Sequence, residues 1–240
     1  MMETKTNTFA VDEVKRLELR VAAADVEIKE AASREIRVDA EHTEEGQYCC
    51  ELRDGTLVVH YQLRNALINL SSHPTVRITL YIPSGMFFAS IVLEAGAGKV
   101  RMEEVPLSCE KLNADIGAGK WKAAGLLVQK KLDVEIGAGK AKMTDVTAGS
   151  LNVHCGVGKS VYKGRVNGDL KVSCGVGSCK FRLENKESDF DYKLSCALGS
   201  IQLNGSKIGC LGTQKIHSDG KALGKAVLDC GLGSIEVDTL

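Results

Sequence analysis

Residues 132–162 read LDVEIGAGKAKMTDVTAGSLNVHCGVGKSVY, and this stretch decides the fold. Leu132, Val134 and Ile136 alternate with Asp133 and Glu135, the period of two that marks a strand with one buried face. After Gly139 the phase slips by one residue, and Ala141 and Met143 become the apolar positions. A corner at Gly139-Lys140 produces that slip, because the chain bends while its inner face stays inner. The same pattern then restarts at Leu151, with Val153 and Cys155 before the next corner at Gly158.

Working outward, seven segments align. They are IVLEAGAGKVRM (91–102), LNADIGAGKWKA (112–123), LDVEIGAGKAKM (132–143), LNVHCGVGKSVY (151–162), LKVSCGVGSCKF (170–181), YKLSCALGSIQL (192–203) and AVLDCGLGSIEV (226–237). Their starts are 21, 20, 19, 19, 22 and 34 residues apart. A period near 20 residues has no room for two helices and suits one turn of a parallel β-solenoid. One coil cannot bury its apolar face alone, and stacking satisfies it through ladder hydrogen bonds at a spacing of ~4.8 Å. The second glycine of the motif recurs in every copy, at Gly98, Gly119, Gly139, Gly158, Gly177, Gly199 and Gly233. A demand for positive φ at the corner would explain it. The expected fold is therefore all-β, a single-stranded parallel β-helix of about seven coils with an N-terminal β cap.

Composition divides the chain near the first coil. Only Gly46, Gly55 and Gly85 precede residue 95, and 22 of the 25 glycines follow it. Residues 1–94 carry 10 basic and 15 acidic groups, residues 95–165 carry 12 and 7, and residues 166–240 carry 9 and 9. The neutral total of 31 against 31 hides this separation along the chain, and it gives no global reason to expect a nucleic-acid or membrane binder. Residues 1–90 are expected to form a cap or small β domain, with strands at LELRV (17–21), DVEIK (25–29), EIRVDAE (35–41) and VRITLYIP (76–83) and a hairpin turn at Asp54-Gly55. Residues 91–240 hold the repeats, and the Gly-rich stretch 204–225 reads as an inserted loop or lid. No apolar run reaches the ~20 residues of a membrane helix, and the start MMETKTNTFAVDEVKR lacks the apolar stretch of a secretory signal. The nine cysteines are an odd number and several recur inside apolar strand patterns, so the expectation is reduced thiols and a cytoplasmic protein, with cell-surface association left open.

The Gly199-Ser200-Ile201-Gln202-Leu203 and Gly233-Ser234-Ile235-Glu236-Val237 motifs, preceded upstream by Tyr81-Ile82-Pro83, resemble the bacterial putative-adhesin family of unknown function over roughly residues 15–240. The resemblance implies a β-solenoid with repeated G-x-I-x-h motifs, and its family name implies adhesion. It brings no catalytic residues to this chain. The GAGK and GVGK coils depart from it by placing Lys after the glycine.

Four features invite a chemical reading. Gly156-Val157-Gly158-Lys159-Ser160 looks like the end of a phosphate loop, but Val153 stands where that loop needs its first glycine. The G-x-G-K pattern also recurs at Lys99, Lys120 and Lys140 with the solenoid period, so no nucleotide site is expected. Cys155, Cys174, Cys196 and Cys230 share one repeat position with Ala95, Ile116 and Ile136, which makes them inward-facing core thiols and not metal ligands. His154 alternates outward, and Cys49-Cys50 places one side chain on each face. Trp121 stands at the position of Val100 and Ile201 and is expected in the core. Lys99/Arg101, Lys120/Lys122 and Lys140/Lys142 recur at outward positions, and Lys159 extends the row. Stacked like charges repel. The stripe is therefore either solvated or balanced internally by the acidic column Glu94, Asp115 and Glu135, or else offered to an external anionic polymer.

Catalysis finds little support. The carboxylate pairs Asp133/Glu135 and Asp189/Asp191 are alternating strand residues, and the five histidines are scattered. The leading expectation is a non-catalytic interaction or scaffold module without cofactor. Two rivals stand beside it: an enzyme or lectin-like binder of an acidic polysaccharide working through the basic stripe, and a self-assembling structural protein.

Overall fold

The computed structural model describes residues 3–43, 46–62, 75–208, 212–218 and 221–240. All of the long elements are strands, and they form one continuous 19-stranded sheet that winds as a solenoid-like stack. The strand Lys140–Cys155 shows how one turn is made. Lys140–Met143 lies on one face, Val146–Ala148 on a second and Leu151–Cys155 on a third, with Ala141, Met143, Val146, Ala148, Leu151, Val153 and Cys155 all buried. Neighbouring turns pair parallel and without offset on the repeat. Leu132, Leu151 and Leu170 stack, as do Ile136, Cys155 and Cys174. The corner continues the ladder: Gly156 donates to Ile136 O at 2.8 Å, Val157 to Gly137 O at 2.9 Å and Lys159 to Gly139 O at 3.0 Å.

This close stacking, and not backbone handedness, explains the recurrent second glycine. Of the seven, only Gly98 has a positive φ, at 98°. A Cβ on Gly158 would lie 2.3 Å from the Gly139 carbonyl oxygen, and one on Gly177 would lie 2.3 Å from that of Gly158. The corners approach each other so nearly that a methyl group has no room. The expectation of a φ requirement is thereby corrected to a requirement for inter-turn contact.

The order of the rungs departs from the order of the sequence at both ends. Arg16–Glu30 is itself a rung, with Leu17 beside Ile91 and Asp25 beside Lys99. Its other edge pairs parallel with Thr56–Tyr61 and Arg77–Ile82. The boundary expected at residue 90 therefore falls inside the stack. Beyond that rung, antiparallel strands close the end: Tyr48–Arg53 on Thr56–Tyr61, Glu35–Thr43 on Arg77–Ile82, and Glu3–Ala10 on Glu35–Thr43. The hairpin at Asp54-Gly55 is present, with φ of 47° and 74°.

At the other end the segment 226–237 pairs with 170–182 on one edge and 192–203 on the other. The last repeat thus inserts beneath the one that precedes it in sequence. Ser206–Ile208 and Gly212–Ile216 pair antiparallel with the outermost rung. The stretch 204–225, expected as a loop or lid, is in these parts a cover for the strand edge. Its residues 209–211 and 219–220 lie outside the described residues.

The core is apolar throughout the stack. Trp121, Tyr162, Phe88, Phe181 and Phe190 are its largest fully buried side chains. Trp121 is in the core as expected, its indole N–H donating to Met102 Sδ at 3.2 Å. Asn185 is one of four buried polar residues among the described residues, with Thr43, Thr79 and Ser160, and its role is clear. Its Oδ1 accepts from Val166 N at 3.0 Å and its Nδ2 donates to Val166 O at 2.9 Å, so a side chain supplies the pairing that a further strand would give.

Candidate basic corner and thiol cluster

The corner places the cations in register. Lys99 is beside Lys120, Lys120 beside Lys140 and Lys140 beside Lys159. A second column runs Arg101, Lys122, Lys142. All seven side chains are exposed. One end of the stripe is neutralised by carboxylates of adjoining turns: Lys99 meets Asp25 at 3.5 Å, Arg101 meets Glu27 at 2.6 Å and Lys122 meets Glu103 at 3.8 Å. Glu27 is held below the usual carboxylate range by hydrogen bonds from Lys29 and from Arg101. Lys120, Lys140, Lys142 and Lys159 form no ion pair among the described residues.

The acidic column Glu94, Asp115 and Glu135 is stacked in register. It does not balance the stripe. Glu94 lies 3.5 Å from Arg20, and none of the three pairs with a stripe cation among the described residues. Arg20, His60, Glu94 and Asp115 line an open 460 Å³ cavity near the first corners. Those groups are spread over four rungs.

The residue between the two motif glycines makes a further feature, which the sequence reading missed. It is Ala97, Ala118 and Ala138 in the early turns, then Val157, Val176, Leu232 and Leu198. The last four are exposed by 67, 56, 61 and 72% and are joined by rung-to-rung hydrogen bonds through the corner. An apolar ridge therefore continues along the corner from the cationic part. The growth of this one position from Ala to Leu was the available signal.

The four core cysteines stack as Cys155, Cys174, Cys230 and Cys196, all buried. Cys179 joins them from across the corner. Its sulfur and those of Cys155 and Cys174 all lie within 4.8 Å of one another. The sequence reading left Cys179 out, although Cys174 and Cys179 flank one corner and both fall at inward positions. Cys49 and Cys50 lie apart from this group on Tyr48–Arg53, Cys49 exposed and donating to Glu51 Oε1 at 3.1 Å.

A model of the Toastrack DUF4097 family matches residues 14–222. Solved structures similar to the chain include a "putative cell adhesion protein" from Clostridium sporogenes, 14% identical with a TM-score of 0.43 over 100% of both chains. A "putative adhesin" from Bacteroides fragilis is 14% identical with a TM-score of 0.48 over 98% of this chain and 97% of that one. A "putative lipid binding protein" from Parabacteroides distasonis is 12% identical with a TM-score of 0.41 over 99% and 96%. No curated protein matches the chain. No helix among the described residues is long and apolar enough to cross a membrane.

Proposed function

The chain belongs to the Toastrack DUF4097 family, and we propose that it is a non-catalytic binding and scaffold module whose corner holds an extended anionic polymer, an acidic polysaccharide being the class that fits best. The observation that carries this reading is the column Lys120, Lys140, Lys159, with Lys142 beside it, in register and without ion pairs among the described residues. Cations one rung apart, at ~4.8 Å, face a linear polyanion along its length. A rigid ladder fixes their spacing before the partner arrives, so little ordering of the protein is lost on binding. The free thiols suit a reducing compartment.

The test is binding of a sulfated or uronic-acid polysaccharide by the full chain at several salt concentrations. Wild type is expected to bind, with affinity falling steeply as salt rises. The triple change Lys120→Gln, Lys140→Gln, Lys159→Gln is expected to weaken binding at least tenfold and flatten the salt dependence. Equal binding by that variant overturns the reading. Cleavage of the polymer would replace it by the enzyme alternative. The apolar ridge favours a second contact, with a protein, on the same corner. If the chain instead assembles with itself through charge, light scattering will show particles that dissolve as salt is added.

A further inference from the structure

We propose that Cys155, Ser160, Cys174 and Cys179 form a buried four-donor site, three thiolate sulfurs and one hydroxyl oxygen, for a single thiophilic divalent cation of the zinc type. The four positions make a two-by-two array. Cys155 and Ser160 stand before and after the corner of one rung, and Cys174 and Cys179 stand at the same places in the next. The register pairs Cys155 with Cys174 and Ser160 with Cys179. The three sulfurs lie within 4.8 Å of one another. Zinc–sulfur bonds of ~2.3 Å in a tetrahedron set sulfurs about 3.8 Å apart, so bringing the three sulfurs to that spacing needs a movement of roughly 1 Å at most.

Ser160 points independently to a ligand. Its side chain is wholly buried, and its hydroxyl has no hydrogen-bond partner. A buried hydroxyl left unpaired is destabilising, and a metal ion would use its lone pair. The position is otherwise filled by Ala141, Trp121 and Val100 in the preceding turns, so the fold itself does not call for a hydroxyl.

Charge selects the ion. Three thiolates with a divalent cation leave one net negative charge in the core, whereas a monovalent cation leaves two, and unpaired buried charge is costly. Binding releases three thiol protons to solvent and forms three metal–sulfur bonds. The donors are 0–2% exposed, so the ion enters as the chain folds.

The test refolds the full chain from denaturant under reducing, oxygen-free conditions with Co²⁺ and then with Zn²⁺. One Co²⁺ per chain is expected, with the visible bands of a tetrahedral ion, thiolate charge-transfer absorption and displacement by Zn²⁺. Cys155→Ala and Cys179→Ala should abolish both signals while keeping wild-type circular dichroism, since Ala95 and Ala141 already occupy those repeat positions. Ser160→Ala should keep uptake, shift the visible bands and weaken binding at least tenfold. Cys109→Ala, a buried thiol elsewhere, should change nothing. A refolded chain without tetrahedral bands, an unchanged spectrum in Cys179→Ala or Ser160→Ala, or uptake of Cu⁺ alone overturns the proposal.

Discussion

Gly158→Ala tests whether contact between corners demands glycine. The new Cβ would sit 2.3 Å from Gly139 O, 2.7 Å from Ile136 Cγ2 and 3.2 Å from Gly139 C. Ordinary contact is ~3.5–4.0 Å, so the corner must open on the order of 1 Å. The obstacle is backbone and cannot rotate aside. Gly139 O accepts from Lys159 N at 3.0 Å, and on the far side Gly158 O accepts from Ser178 N at 3.0 Å. Opening strains both bonds. Overpacking costs about 1–3 kcal/mol and two weakened bonds about 1 kcal/mol each, for a loss of roughly 3–5 kcal/mol. Gly85→Ala is the control, because Gly85 has φ of 79° and nothing within 4 Å of its Cβ position. Backbone strain alone costs it about 1–2 kcal/mol. In urea unfolding followed by circular dichroism, a slope of about 2–3 kcal/mol/M puts the Gly158→Ala midpoint more than ~1 M below wild type and the Gly85→Ala midpoint only about 0.5 M below. If Gly85→Ala proves the weaker of the two, the contact argument fails.

Other perturbations give separate checks. Asn185→Ala removes both side-chain bonds to Val166 and should cost about 2–3 kcal/mol by the same unfolding measurement; Asn185→Asp should recover part of it only at low pH, where its carboxyl can donate. Trp121→Ala empties the largest buried site and should cost about 3–5 kcal/mol, read as a lowered melting temperature. Glu27 has its folded pKa depressed, by Lys29 first and Arg101 second, so its contribution is present above the unfolded carboxylate value and is lost as pH falls through the folded one. Glu27→Gln should therefore flatten the acid limb of the stability profile, and an unchanged limb would count against the pairing.

The period and the inward columns were legible because each turn repeats the same alternation about the same corner. Register followed, since equivalent side chains stack. The rung at residues 16–30 was not recognised as a repeat because Ala22, Ala23 and Ala24 stand where later copies have G-x-G. The rung next to them in space, Thr56–Tyr61 with Arg77–Ile82, has 15 residues between its two strands in sequence. The exchange of the last two repeats was hidden for another reason. Every rung has the same inner face, so alternation within a rung says nothing about its neighbour. Charges across the joints do discriminate. Lys180 pairs with Glu236, and stacking in sequence order would set it against Gln202. Asp25 and Glu27 likewise meet Lys99 and Arg101 at the other out-of-order joint. Among the thiols, alternation identified each inward column but not that two columns converge at a corner, which needs the bend angle.

The interleaved ends bear on how a molecule of this kind could become longer. A copy appended at either terminus would meet antiparallel strands, whose direction a parallel newcomer cannot extend. Duplication of a period between residues 91 and 183 would be absorbed, because each turn there follows its predecessor in sequence and in space. Size variants in this lineage should accordingly differ in their middles and keep both extremities, and fibres grown end to end would first have to peel those closing strands away.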